Sequence, residues 1–207
     1  MRHRVRTNSL GRAGDQRDAM LKHLVRGLIE HGKVETTVLR AKRARPIAER
    51  LVTYGKRAQL AMQVASATEA MMQSAKEKSD ASATAKQADA LATLLQDAVA
   101  GMTEGTAKRN RAEQARVWAE EVSAKAKAGE LDEAIALIRL IWVYGSGTNV
   151  ALRRQARKLL GDEKLIKHLF EEMAPEYMDR NGGYTRITRT GLRRGDSAQK
   201  AVLEFVE

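Results

Sequence analysis

The sequence predicts an α+β protein, helices lying on a small mixed or antiparallel sheet. Three observations carry this. Leu21, Leu24, Val25 and Leu28 recur at helical spacing, and similar stripes run through most of the chain. A β-branched run, Lys33–Val38, follows the first stripe. Two further strand-like runs, Tyr184–Thr190 and Lys200–Val206, close the sequence and are placed to pair as a hairpin that recruits the early strand.

Each element has local grounds. The opening MRHRVRTNSLGRAG carries Arg2, His3, Arg4, Arg6 and Arg12, has no acidic residue, and offers almost nothing to pack. It reads as an extended basic tail, residues 1–14. Asp15 is suited to cap the first helix, with Met20 and Ile29 widening its stripe and Gly32 stopping it. Arg17, Lys22 and Arg26 fall mostly off that stripe. A second helix is expected from Thr37 or Val38, with Leu39, Ile47, Leu51 and Val52 toward the core and a kink or break at Pro46. Arg40, Lys42, Arg43 and Arg45 crowd its first turns, where cations oppose the helix dipole. Such a conflict is expected where an anion binds.

From Ala58 the texture becomes Ala-rich and mixed in charge. Helices are expected at 59–78, 84–100, 106–128 and 131–143. Their stripes are Leu60, Val64, Ala67 and Met71; Leu91, Leu94, Leu95 and Ala98; Val117, Trp118 and Val122; and Leu131, Ile135, Ile138 and Trp142. Tyr144–Asn149 reads as a linker before a helix from Val150 to Leu160. Asp162 can cap the next helix, which carries Leu165, Ile166, Leu169, Phe170 and Met173 and ends before Pro175. Asn181-Gly182-Gly183 is a turn, and GLRRGDSAQ a Gly-punctuated basic loop between the last strands.

The 207 residues carry a net charge of +11 with no Cys, so disulfides, thiolate metal sites and cysteine nucleophiles are excluded. The charge is uneven. Residues 1–60 hold 15 Lys and Arg against 5 Asp and Glu; residues 61–140 hold 10 against 12; residues 141–207 hold 12 against 9. The ends are material for a polyanion and the middle is not. No signal peptide is visible, and the longest apolar run, Leu137–Tyr144, is too short to span a membrane. His3, His23, His31 and His168 lack the spacing of a helical metal site. The neighbours Glu120-Glu121 and Glu171-Glu172 point apart on helices, so neither makes an acid/base dyad. Gly145-Ser146-Gly147 lacks the third glycine of a dinucleotide fingerprint. No catalytic constellation, cofactor site or metal site emerges. Tail arginines can neutralise phosphates and stack on unpaired bases. Arg193 and Arg194, flanked by Gly191 and Gly195, and the strand arginines Arg186 and Arg189 form a further basic group.

The start MRHR, the following LGR, the run RDAMLKHLVRGLIEHGKVETTVLRAKRAR and the end GGYTRITRTGLRRGDSAQKAVLEFVE resemble bacterial large-subunit ribosomal protein seventeen. The resemblance covers residues 1–57 and 150–207. It implies a two-layer α/β body with a small sheet and no enzymatic activity. The implied partners are large-subunit ribosomal RNA and neighbouring ribosomal proteins near the outer end of the peptide tunnel, in the cytoplasm. It also implies RNA contacts at Arg2, His3, Arg4, Arg12, Arg17, Lys42, Arg186, Arg193 and Arg194. The residues add Arg6, Lys22, Arg40, Arg43, Arg45 and Arg189 to that set. Gln16-Arg17 and Lys22-His23 depart from the family pattern, which often has His-Arg opening the first helix and Arg-Asn within it. The domains expected are the tail 1–14, a body of 15–57 and 150–207, and an Ala-rich helical insertion, 58–149, that contacts another protein or fills space. Composition alone also permits a nucleoid-type DNA-binding protein; an enzyme acting on RNA is disfavoured by the missing site.

Overall fold

The computed structural model describes residues 9–76, 81–100, 107–128 and 130–206. In chain order it forms α1 (Gly14–His31), β1 (Lys33–Thr37), α2 (Val38–Lys76), α3 (Ala81–Ala100), α4 (Ala107–Ala128), α5 (Leu131–Leu160) and α6 (Glu163–His168). A π-helical turn (Leu169–Met173), the single turn α7 (Ala174–Glu176), β2 (Thr185–Leu192) and β3 (Gln199–Phe205) follow. These make two units. The first holds the chain up to Lys56 and from Arg154 onward; the second is Arg57–Arg153. Both boundaries fall inside helices, α2 and α5.

The first unit bears out the α+β reading. Its sheet is antiparallel, in the order β1-β3-β2. Val34 and Ile187 both lie opposite Leu203, an apolar row across the three strands. Ala201 and Leu203 are buried, and α1 lies against β1 and β3. α1 buries Leu21, Val25, Leu28 and Ile29 and ends at Gly32, whose φ of 71° only glycine adopts freely. Asp15 is not its cap. The backbone is helical back through Gly14, and Ala13 stands at the cap position without a side-chain bond, so Asp15 acts on the dipole from inside the first turn.

α2 differs from expectation in three ways. Leu39 is 53% exposed, because starting the helix at Val38 turns Val38, Ala41, Ala44, Ala48 and Leu51 inward and leaves Leu39 about 100° round. Pro46 does not divide it: the residue is exposed, and so is Lys42, whose carbonyl loses its partner on a side open to solvent. The helix also continues through Ala58 to Lys76. Gly55 permits close packing: a Cβ there would lie 2.8 Å from Ala174 Cβ and 3.5 Å from Leu169 O.

The first unit closes with Asp162, whose side chain accepts from Lys164 N at 2.9 Å as expected of a cap. Ile166, Leu169, Phe170 and Met173 are buried. Tyr177 meets the ring of Tyr184 edge-on at 5.6 Å and tilts against Phe205 at 6.3 Å. Lys56 reaches over the Tyr184 ring and donates to Arg180 O at 2.6 Å.

In the second unit, four buried seams follow the alternating three-and-four spacing of coiled-coil packing. They are Ala61, Val64, Thr68 and Met71 on α2; Ala88, Leu91 and Leu95 on α3; Ala112, Ala115, Ala119, Val122 and Ala126 on α4; and Ala134, Ile138 and Ile141 on α5. Thr68 remains satisfied by donating to Ala65 O at 2.7 Å. The expected α4 stripe is corrected: Val117 is 46% exposed, since the alanines form the seam. Ala98 lies among residues whose side chains are outside the description.

The linker at Tyr144–Asn149 is also overturned. It lies inside α5, which joins the two helices expected on either side of it. Gly145 is there for contact: an added Cβ would meet Ala61 O at 3.0 Å and Ala65 N at 3.2 Å, so α5 crosses α2 with backbones nearly touching. One consequence is that Glu133–Leu160 is, by length and composition alone, long and apolar enough to cross a membrane. The same helix supplies Ala134, Ile138 and Ile141 to the core of its unit and carries Arg153, Arg154, Arg157 and Lys158 near its end.

Candidate nucleic-acid interface

The first unit presents three groups of cations, each placed by a different element. The tail residues Arg2, His3, Arg4 and Arg6 lie outside the described residues.

The first group is on α1. Arg12, at its approach, is exposed; Arg17 lies 3.7 Å from Asp18 and Lys22 is half-buried. Arg26 has a structural role instead, donating through Nε to Leu160 O at the end of α5, close over Gly161. One face of α1 and Val34 of β1 enclose an open groove of about 550 Å³. Met20 and Leu24, assigned by periodicity to the core, are half-buried and line this groove.

The second group is the start of α2, whose first turn contains no acidic residue. Arg40, Lys42 and Arg43 form no ion pair among the described residues, and the buried Arg43 Nε has no hydrogen-bond partner. A buried donor without an acceptor costs about 1–3 kcal/mol, which this arrangement of Arg43 carries. Arg45 is different. Its Nε donates to Glu49 Oε1 at 2.9 Å, and the same oxygen accepts from Thr185 Oγ1 at 3.1 Å, tying α2 to the start of β2.

The third group is the β2–β3 hairpin. Arg186 and Arg189 are exposed on β2, which bulges between Arg189 and Gly191. At the tip Arg193 forks onto both carboxylate oxygens of Asp196, with Nε 3.0 Å from Oδ1. Arg193 N also donates to Ala198 O, and Ala198 N to Asp196 Oδ1. Arg193, and after it the Ala198 N–H, hold the Asp196 carboxyl down at about 2. Arg193 is therefore the brace of the tip, and Arg194 and the 63%-exposed Leu192 are what the tip presents.

Sequence reasoning missed Gln16, Ala19 and Gly27 in the α1 groove, and Lys56 on Tyr184. The recurrence of Ala19, His23 and Gly27 every fourth residue was the available signal for a shallow face. Among the described residues no cluster of His, Asp and Glu could hold a metal ion.

The family model described as Ribosomal protein L17 matches residues 20–109 and 104–206. The chain belongs to the ribosomal protein L17 family. It is 30% identical over 207 residues to the large ribosomal subunit protein bL17 of Kosmotoga olearia, spanning all of this chain and 94% of that one. The bL17 proteins of Thermodesulfovibrio yellowstonii and Fervidobacterium nodosum are 29% and 28% identical over 207 residues, spanning this whole chain and 88% and 100% of theirs. The resemblance read from the two ends is thereby borne out.

Proposed function

We propose that the chain is a structural constituent of the bacterial large ribosomal subunit, in the cytoplasm, and has no catalytic activity of its own. It binds ribosomal RNA through the tail and the three cation groups of the first unit, near the peptide tunnel exit. The observation that carries this is the start of α2, where Arg40, Lys42 and Arg43 form no ion pair among the described residues and the first turn holds no acidic residue. The family match gives a nucleoid-type DNA-binding reading no support. We assign residues 1–14 as the RNA-binding tail, 15–57 and 150–207 as the body, and 58–149 as the insertion; the division of the chain at Lys56 and Arg153 supports this split.

The insertion serves to meet a helix of a neighbouring large-subunit protein. Supporting this, Ala136, Leu140, Val143, Gly147 and Val150 form an exposed second seam on α5 with the same alternating spacing as the buried ones, flanked by the exposed Arg139. Sedimentation of cell lysate tests the main reading. Comigration with large subunits that persists into high salt is expected, and release at modest salt contradicts it. Deleting residues 60–145 should leave incorporation intact, while Leu140→Lys with Val143→Lys should abolish a protein crosslink from α5 in purified subunits.

A further inference from the structure

The α1 groove has a composition none of the cation groups shares. Its floor and walls are apolar: Ala19, Met20 and Leu24 from α1, Gly27 one turn on, and Val34 from β1. Its rim is polar: Arg12 just before the helix, and Gln16 and His23 two turns apart on it, and no acidic residue lines it. None of these three side chains is engaged in a hydrogen bond or ion pair among the described residues. The floor is kept low by small residues, since a Cβ on Gly27 would rest in ordinary contact, 3.5 Å from Val34 Cγ2.

Resting on the RNA-binding reading above, we infer that this groove accepts an unpaired nucleobase of the bound RNA. A base has two apolar faces and an edge of donors and acceptors. The groove matches it part by part. Met20, Leu24 and Val34 take a face of the ring, the Gln16 amide and His23 imidazole read its edge, and Arg12 meets the phosphate of the same nucleotide. The volume, about 550 Å³, is in the range of small-ligand sites and exceeds what one base fills. Charge selects this occupant over an apolar segment of a protein. The groove lies in the third of the chain with 15 Lys and Arg against 5 Asp and Glu, and its rim carries positive charge and donors where a protein helix would need apolar neighbours.

The test fills the groove without touching a cation. Ala19→Leu with Gly27→Ala keeps good helix formers on α1, and circular dichroism verifies that the full-length variant is folded. Both proteins are titrated onto purified large-subunit ribosomal RNA over a salt series, and base reactivity to dimethyl sulfate is mapped with each bound. The expected result is an affinity about tenfold lower for the variant with an unchanged salt slope, because no phosphate contact is lost. One or a few unpaired bases protected by the natural chain become reactive. Equal affinity with the same protected bases overturns the base-binding groove and leaves the ribosomal reading standing. So does normal RNA binding by a variant that fails to enter the subunit, which would put a protein side chain in the groove. A shallower slope makes the site a phosphate site and overturns it too. Failure of the natural chain to bind the RNA at all overturns both readings.

Discussion

Gly55→Ala puts two effects in direct opposition. Alanine in a helix interior is favoured over glycine by about 1 kcal/mol. At Gly55, however, the new Cβ would lie 2.8 Å from Ala174 Cβ. Carbon atoms pack best at about 3.5–4.0 Å, so α2 or the turn before α7 must yield by roughly 1 Å. Neither can do so cheaply. Ala174 is fully buried, its Cβ is not the end of a flexible chain, and Leu169 O lies 3.5 Å away on the other flank. Overpacking of this kind costs about 1–3 kcal/mol. The net expectation is destabilisation of up to about 2 kcal/mol, or up to a few degrees in Tm for a chain of this size. Urea unfolding followed by circular dichroism reads it, with Gly147→Ala as the control. Gly147 is helical and nothing approaches its Cβ position, so that change should stabilise by up to about 1 kcal/mol. Adding Ala174→Gly to Gly55→Ala should restore part of the loss. If Gly55→Ala raised stability as Gly147→Ala does, the close contact would be wrong and propensity alone would rule.

Two further outcomes follow from the geometry and a third from the charge of the tail. Asp196 is held at about 2, below its ordinary 3.8, so its contribution to the hairpin tip is complete above roughly pH 4 and is lost as pH falls through about 2. Carboxyl NMR should show tip order at pH 3 in the natural chain, and Asp196→Asn should remove the transition; a midpoint near 4 would break the argument. Gly145→Ala should loosen the second unit, because its Cβ meets backbone atoms of α2 at 3.0 and 3.2 Å. Amide exchange around Ala61–Val64 should quicken, and unchanged exchange there would speak against the close crossing. Arg2, Arg4 and Arg6 changed together to Ala should leave the body folded but weaken RNA binding and flatten its salt slope by up to roughly 2–3 units; an unaltered slope removes the tail from the interface.

The body was legible because its signals agree across levels. The α1 stripe ends at Gly32, β-branched residues follow at once, and Ala201, Leu203 and Phe205 fall at alternate positions on one face of the last run, so element and register point one way. The second unit was harder for a physical reason. Its seams are mostly alanine, and alanine marks buried and exposed helix faces alike, so Ala112, Ala115 and Ala119 gave no contrast against Val117. Gly145 and Gly147 look like a linker because glycine usually breaks a helix; only the contact with α2 reveals that one of them is there to admit a neighbour. In the interface, basic residue types were visible but pairing was not. Arg45 and Arg193 read the same as Arg43 and Arg194 in sequence, and only the positions of Glu49 and Asp196 separate the paired arginines from those without an ion pair among the described residues.

That separation explains how a strongly basic unit holds together before it meets RNA. Four of its acidic residues hold joints: Glu49 between α2 and β2, Glu35 on Lys200 between β1 and β3, Asp196 on Arg193 across the tip, and Glu163 on Arg157 at the α5–α6 corner. Arg40, Lys42, Arg43, Arg186 and Arg194 form no ion pair among the described residues, and those on α2 also sit at the wrong end of a helix dipole. The second unit has no such surplus. Its cations meet carboxylates within the unit, Arg116 with Glu120 one turn on and Lys127 with Asp89 across α4 and α3, and residues 61–140 are close to neutral. A bound polyanion must therefore stabilise the two units unequally, by up to about 2.7 kcal/mol for the first when RNA is present at a hundred times Kd. Amide exchange in β3 should slow on RNA binding while exchange in α4 stays as it was; equal protection of both would mean that the second unit shares the RNA and that its near-neutrality is no guide to what it binds.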